Sequence, residues 1–184
     1  MSKEHAQKTM KVISPLIRIG GIVLLLVAAG MFAVTMYRFG TGAGGIRALK
    51  GLNKNVGTLA EIIGITTGVL WLLRHIWLQM KKRKIPFVEW AQQLYLLLRT
   101  HHIFLGIVTL CLGFAHGLYF FIFQTDEKLT MYTGIATFLA LVVLALLGWN
   151  HHAKKKTKKN LVTKKQHMIM AIIFGILFLI HLNV

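Results

Sequence analysis

Five long apolar stretches constrain what this chain can fold into more than any other feature of its sequence. The hydrocarbon core of a bilayer is about 30 Å thick and an α-helix rises about 1.5 Å per residue, so roughly 20 apolar residues cross it. At membrane depth the backbone polar groups must be satisfied within the chain, which favours helices. We therefore predict an all-α integral membrane protein, a single domain over residues 1–184 that forms a bundle of five transmembrane helices. The predicted spans are 16–37, 56–80, 100–124, 131–150 and 166–184.

The composition excludes the other broad classes of protein. Hydrophobic residues make up 55% of the 184 residues and charged residues only 15%, which does not fit a disordered, collagen-like or coiled-coil chain. The single cysteine, Cys111, lies in an apolar stretch. A disulfide framework and a cysteine-based metal site are therefore excluded.

Positive charge is distributed unevenly along the chain, and this distribution predicts its orientation. Of the 22 Lys and Arg residues, 17 lie in the N-terminal segment and around the connections that link span 2 to span 3 and span 4 to span 5. Because Lys and Arg accumulate on the cytoplasmic side, we predict a cytoplasmic N-terminus and an extracytoplasmic C-terminus. The net charge of +17 then reflects topology, with a secondary attraction to anionic lipid headgroups, and nucleic acid is not an expected partner.

A cleaved signal peptide is the alternative interpretation of the first span. Three lysines precede an apolar run that contains the small residues Ala28, Ala29 and Gly30. The apolar run continues past these residues to Tyr37, so we expect the first helix to be retained.

Two connections between the spans have a distinct character. Residues 38–55 contain five glycines and several cations, and we predict a flexible, cationic outer loop. Residues 85–98 carry Trp90 and Tyr95, aromatic residues that are typical of the membrane interface. This segment is predicted to be either an interfacial helix or an extension of the third span.

Two pairs of histidines with equal spacing are the main indication of function. His102 and His116 are fourteen residues apart in the third span, and His167 and His181 are fourteen apart in the fifth. Fourteen residues are two heptads, so each pair returns to one helix face. The third and fifth spans run in the same direction, which places two facing histidines at each of two depths about 21 Å apart. Two axial imidazoles are what a haem iron needs, and this predicts two stacked b-type haems between the third and fifth helices.

Residues near these histidines fit a macrocycle. Gly106 and Gly113 would leave room for porphyrin, and the alternative is that they allow close helix packing. Phe174 lies midway between the two levels and would pack between the cofactors. Arg99 is a candidate partner for haem propionates at the inner level, or an ordinary solvated charge.

The remaining polar residues of the spans leave alternatives open. His5, His101, His151 and His152 are predicted to be interfacial side chains whose polar tips reach water. His75 or His101 could nevertheless replace an assigned inner ligand. Glu61 is the one carboxylate within a predicted span, and it is either a proton or acceptor site or an interfacial residue.

The run Arg-Thr-His-His-Ile-Phe-Leu-Gly at residues 99–106, followed by His116, resembles the third helix of the ferric reductase-like transmembrane domain family. That family comprises ferric reductases, NADPH oxidases and the haem-binding membrane subunit of bacterial periplasmic methionine sulfoxide reductase systems. Its third and fifth helices each supply two histidines to two stacked haems, and these match His102, His116, His167 and His181. The resemblance implies electron transfer from a cytoplasmic reductant to an outer acceptor.

The sequence departs from the family pattern in two respects. Family members usually have a sixth helix, which a partner could supply here, and many carry a flavin and nicotinamide domain that these 184 residues do not contain. Electrons would then come from a cytosolic flavin reductase, whose acidic surface would suit the cationic face, or from membrane quinol. Flavin or quinone would thus be used through a partner.

These features predict a transmembrane b-type cytochrome, either a membrane oxidoreductase or the electron-transfer subunit of one, in the bacterial plasma membrane. Ferric iron, oxygen or an extracytoplasmic partner reductase would accept the electrons, and no catalytic residue is assigned within the chain. The alternative is a non-redox membrane protein, a small transporter or an assembly subunit, whose histidines bind a metal or lie at interfaces.

Overall fold

A computed structural model describes residues 3–123, 127–153 and 160–184, without the side chains of residues 3, 151–153 and 160–163. Of these residues 91% are helical and none lies in a strand, which confirms the predicted all-α class. The side chains of His151 and His152, and the lysines among residues 154–159, lie outside the described part. The helices are α1 (Lys3–Gly40), α2 (Arg47–Gly68), α3 (Leu70–Lys82), α4 (Val88–Phe123), α5 (Lys128–Ala153) and α6 (Asn160–Leu182).

Five helical segments of the described chain are long and apolar enough to cross a membrane. They are α1, α4, α5, α6 and the combined segment of α2 and α3, Arg47–Lys82. Large apolar side chains on these helices point outward, with Leu26 and Trp149 each 68% exposed. Apolar patches of this extent are unusual on a protein in water, so they fit contact with lipid acyl chains.

The second membrane-spanning segment is interrupted at Val69. Helix α2 ends at Gly68 and α3 begins at Leu70, while Val69 adopts φ −72° and ψ 0°. The hydroxyl of Thr67 donates to the carbonyls of Ile63 and Gly64 in the preceding turn. Threonines that bond backward in this way commonly bend membrane helices. The interruption leaves the last turn of α2 with carbonyls that are available to other partners.

Helix α4 is the centre of the bundle. It packs against α1, α2, α3 and α5, whereas α6 packs against α5. The core contains apolar residues from three helices, and a close approach of α1 to α4 at Gly21 places the backbone against the ring of Phe104. The buried core residues are Ala28, Met31, Val56, Val108, Leu112 and Ala115.

The structure corrects the predicted length of the first connection and decides between the two alternatives for the second. The outer loop is much shorter than residues 38–55, because α2 already begins at Arg47. The Arg38 guanidinium closes the remaining turn by donating twice to the Gly44 carbonyl, at 2.6 and 3.0 Å, and Gly42 supplies a positive φ of 68°. Residues 88–98 form the continuous start of α4, so this segment extends the third membrane-spanning helix.

Candidate functional site

The four histidines of the predicted haem ligand set meet in two pairs across α4 and α6. The rings of His102 and His167 have centroids 6.4 Å apart and planes at 82°. His116 lies within electrostatic range of His181. The ring of His102 therefore lies against that of His167, and His116 interacts electrostatically with His181, the histidine of α6 with the same offset of 65 positions. At about 1.5 Å per residue, the two pairs are separated by about 21 Å along the helices.

The space between α4 and α6 is bridged mainly by side chains. Among the described residues, α4 and α6 do not belong to the helix pairs that pack along each other, although α5 packs against both. At Gly106, which lies one turn after His102, a side-chain carbon would meet no other atom within 4 Å. The two histidines of each pair therefore face each other across a gap between α4 and α6. Helix α5 closes this gap on one side.

Two of the four rings are held by backbone carbonyls. Nδ1 of His116 lies 2.8 Å from the carbonyl oxygen of Asn53 in α2. Nδ1 of His167 lies 3.2 Å from the carbonyl oxygen of Leu144 in α5. Because a carbonyl can only accept, Nδ1 carries the hydrogen in both rings and Nε2 keeps its lone pair. This is the tautomer in which Nε2 can bind a metal.

His181 is held by a hydroxyl group. Its Nδ1 lies 3.1 Å from Oγ1 of Thr133 in α5. The hydroxyl of Thr133 donates to the carbonyls of Leu129 and Thr130, so its lone pairs are free to accept from Nδ1. Nε2 of His181 is therefore also left with its lone pair.

His102 differs from the other three histidines. Its Nδ1 is buried and has no hydrogen bond of ordinary geometry within the described part of the chain. The backbone carbonyl of Thr67 interacts with this ring, two residues before the interruption at Val69.

Three glycines let the neighbouring helices approach these rings. A side-chain carbon on Gly57 would lie 2.6 Å from both Cε1 and Nδ1 of His116. The corresponding distance to Cε1 is 3.1 Å for Gly148 against His167 and for Gly134 against His181. Gly57 follows Asn53 by four residues and Gly148 follows Leu144 by four, so each glycine exposes the carbonyl one turn before it to a second donor.

The other predicted site residues have different surroundings. Gly113 faces α5, where Phe138 and Leu141 lie 3.9 Å from the position of an added side-chain carbon. Phe174 stacks on Phe178 in α6, with ring centroids 5.8 Å apart. Arg99 is exposed at the start of the membrane-spanning part of α4.

Glu61 lies half-buried on α2, between Gly57 and Gly64, two glycines that face α4. It makes no ion pair with any side chain that the structure describes. Its position is one turn from the glycine that abuts His116.

The interfacial prediction for His101 is wrong, whereas His5 and His75 are exposed. His101 is 2% exposed, and its Nε2 lies 2.9 Å from the hydroxyl oxygen of Ser14 in α1. Neighbouring residues of a helix point about 100° apart, so His101 faces α1 while His102 faces His167. His75 stacks on Trp71 of its own helix at 5.9 Å. Of the three candidates for the inner ligand, His75, His101 and His102, it is His102 whose ring lies against His167.

Sequence reasoning missed the groups that orient the four rings. Asn53 and Leu144 act through their carbonyls, which carry no side-chain signal. The glycines did carry a signal in the sequence. Gly134 and Gly148 are fourteen residues apart on α5, which is the same spacing as that of His167 and His181 on α6. Two antiparallel helices with matched spacings indicate contact at both levels.

In the described part of the chain, no three His, Cys, Asp or Glu side chains converge as a metal site would require. Each histidine pair therefore offers two candidate ligands. Comparison of the chain with models of protein families, with curated protein sequences and with solved structures gives no significant match.

Proposed function

We propose that this protein is a transmembrane b-type cytochrome that carries electrons through two bis-histidine haems. The observation that carries the proposal is the pairing of His102 with His167 and of His116 with His181 across one gap. Haem iron, when bound, supplies reversible one-electron transfer. The part of the chain is to hold two imidazoles at each level, and the acceptors at Nδ1 of His116, His167 and His181 favour the tautomer in which Nε2 carries no hydrogen.

The distance between His102 and His167 supports ligation of one metal from opposite sides. Metal–imidazole bonds are about 2.0–2.1 Å long and the ring centre lies about 1.1 Å beyond the nitrogen, so opposed imidazoles have centroids roughly 6.3 Å apart. The observed separation is 6.4 Å.

The donor set also supports a macrocycle rather than a bare ion. A structural zinc site takes four protein ligands, and each pair here supplies two. A porphyrin provides four nitrogens of its own and needs only the two axial bonds. The open space at Gly106 and the separation of α4 from α6 are compatible with a flat group between the helices.

The charge distribution supports the proposed orientation, and the resemblance to the ferric reductase-like family implies electron flow from the cytoplasm outward. With the N-terminus in the cytoplasm, His102 and His167 form the inner pair and His116 and His181 the outer pair. Arg99, exposed near the inner pair, would neutralise propionates. We propose a cytosolic flavin reductase or membrane quinol as donor, and ferric iron, oxygen or an outer partner reductase as acceptor. The proposed arrangement resembles that of the ferric reductase-like transmembrane domain family, and we propose a bacterial plasma membrane as its location.

An absorption spectrum tests the proposal most directly. The protein is purified in detergent from cells supplied with haem, or reconstituted with haem, and recorded before and after addition of dithionite. We expect the split low-spin signal of b-type haem on reduction, and two haems per chain by pigment extraction. A preparation that stays colourless after reconstitution would contradict the proposal and favour the non-redox transporter or assembly subunit.

A further inference from the structure

The acceptors that hold the four histidine rings differ in chemical kind. His116 and His167 donate to backbone carbonyls, and the buried Nδ1 of His102 has no hydrogen-bond partner within the described part of the chain. His181 lies against a side chain, the hydroxyl of Thr133. This contact can therefore be removed or restored by substitution without altering the helix backbone.

The hydroxyl of Thr133 is fixed before it meets the ring. Its hydrogen is committed to the carbonyls of Leu129 and Thr130, at 3.0 and 3.1 Å. A β-branched threonine in a helix has few χ1 states, and this backward bond selects one of them. The lone pairs of Oγ1 thus point toward α6, and a hydroxyl that already donates becomes a better acceptor.

The neighbouring glycine completes the contact. Gly134 follows Thr133 directly, and an added side-chain carbon there would lie 3.1 Å from Cε1 and 3.6 Å from Nδ1 of His181. The ring therefore lies between a fixed acceptor and a helix surface without a side chain, and it has little freedom to rotate.

We infer that Thr133 is a positioning residue that fixes the Nε2-free tautomer of His181 and tunes the reduction potential of the outer haem. An acceptor on Nδ1–H makes the imidazole a stronger electron donor through Nε2, which favours the oxidised iron. Loss of this acceptor raises the reduction potential. The inference rests on the proposed function, and it assigns the tuning of one haem to a single hydroxyl.

Thr137 provides a matched control on the same helix. It lies one turn after Thr133, and its hydroxyl donates to two backbone carbonyls, that of Thr133 at 2.8 Å and that of Leu177 in α6 at 3.1 Å. It is 8% exposed, so it contributes to the packing of α5 on α6 without touching a histidine. A purely structural role of threonine at this interface would be equally sensitive at both positions.

The test is a redox titration followed by absorption and by the low-spin ferric EPR signals, on the purified haem-loaded protein. Thr133→Val keeps the size and the β-branch but has no acceptor. We expect the reduction potential of the His116–His181 haem to shift upward and the potential of the other haem to stay unchanged. His116→Ala identifies which potential that is. Thr133→Ser should restore the wild-type potential, and Thr137→Val should leave both potentials unchanged.

The outcomes separate this inference from the proposed function. Wild-type protein without haem would overturn both. Two haems in the wild type with unchanged potentials in Thr133→Val would overturn the role of Thr133 alone. If Thr133→Val loses the outer haem, then retention of that haem in Thr133→Ser and Thr137→Val supports the inference, and equal loss in either of them overturns it.

Discussion

Replacement of His116 by alanine is expected to halve the haem content of the purified protein. The substitution removes one axial ligand of the outer pair and leaves His181 without its partner, whereas the inner pair is about 21 Å away along the helices. The remaining haem should keep the spectrum and potential of the inner site. Pigment extraction gives the haem content per chain, and a redox titration shows which of the two transitions is lost.

Two further variants test the pairing of His116 and provide a control. His181→Ala should lose the same transition as His116→Ala, because in the proposed function the two rings hold the same haem. His101→Ala should keep both haems, since the His101 ring is turned toward Ser14 of α1. Retention of both haems in His116→Ala, or loss of different transitions in the two partner variants, would contradict the pairing.

Replacement of Gly57 by alanine is expected to disrupt the outer site although no ligand is changed. The added methyl group would lie 2.6 Å from two atoms of the His116 ring, which is closer than real side-chain carbons approach. The ring is also bound to the Asn53 carbonyl at 2.8 Å, so it must break this bond to move away. We expect loss of the outer haem, or an upward shift of its potential, measured as for His116→Ala.

Gly51→Ala is the matched control for this prediction. Gly51 lies on the same helix, and a side-chain carbon there would meet nothing within 4 Å. Alanine is favoured over glycine in a helix interior by about 1 kcal/mol, so both variants gain the same intrinsic stability. Gly51→Ala should therefore bind both haems normally. A normal outer haem in Gly57→Ala would show that α2 does not constrain His116.

The predictable part of the structure came from periodicity. Runs of about 20 apolar residues identify membrane-crossing helices whatever their neighbours are. The equal spacing of His102 to His116 and of His167 to His181 indicated two facing levels, because a helix repeats its faces at fixed intervals. Both inferences use only the geometry of a single helix.

The unpredicted part depends on how each helix is rotated about its own axis. His101 and His102 are adjacent, so the local sequence does not show which of them faces α1. Packing across the bundle decides this. The acceptors for the rings are mostly carbonyls, which every residue has. The interruption at Val69 also lacks a proline, so its only sequence signal is the preceding Thr66, Thr67 and Gly68.

The central position of α4 sets an order for biogenesis. Helices α1, α2 and α3 all pack against α4, yet they leave the ribosome before it does. They must therefore wait in the membrane as loosely associated segments until α4 is inserted. The two histidine pairs are completed later still, because His167 and His181 belong to α6. On the proposed function, haem insertion would consequently be a late step of synthesis, and the chain could complete the packing of α1 to α4 while it is still colourless.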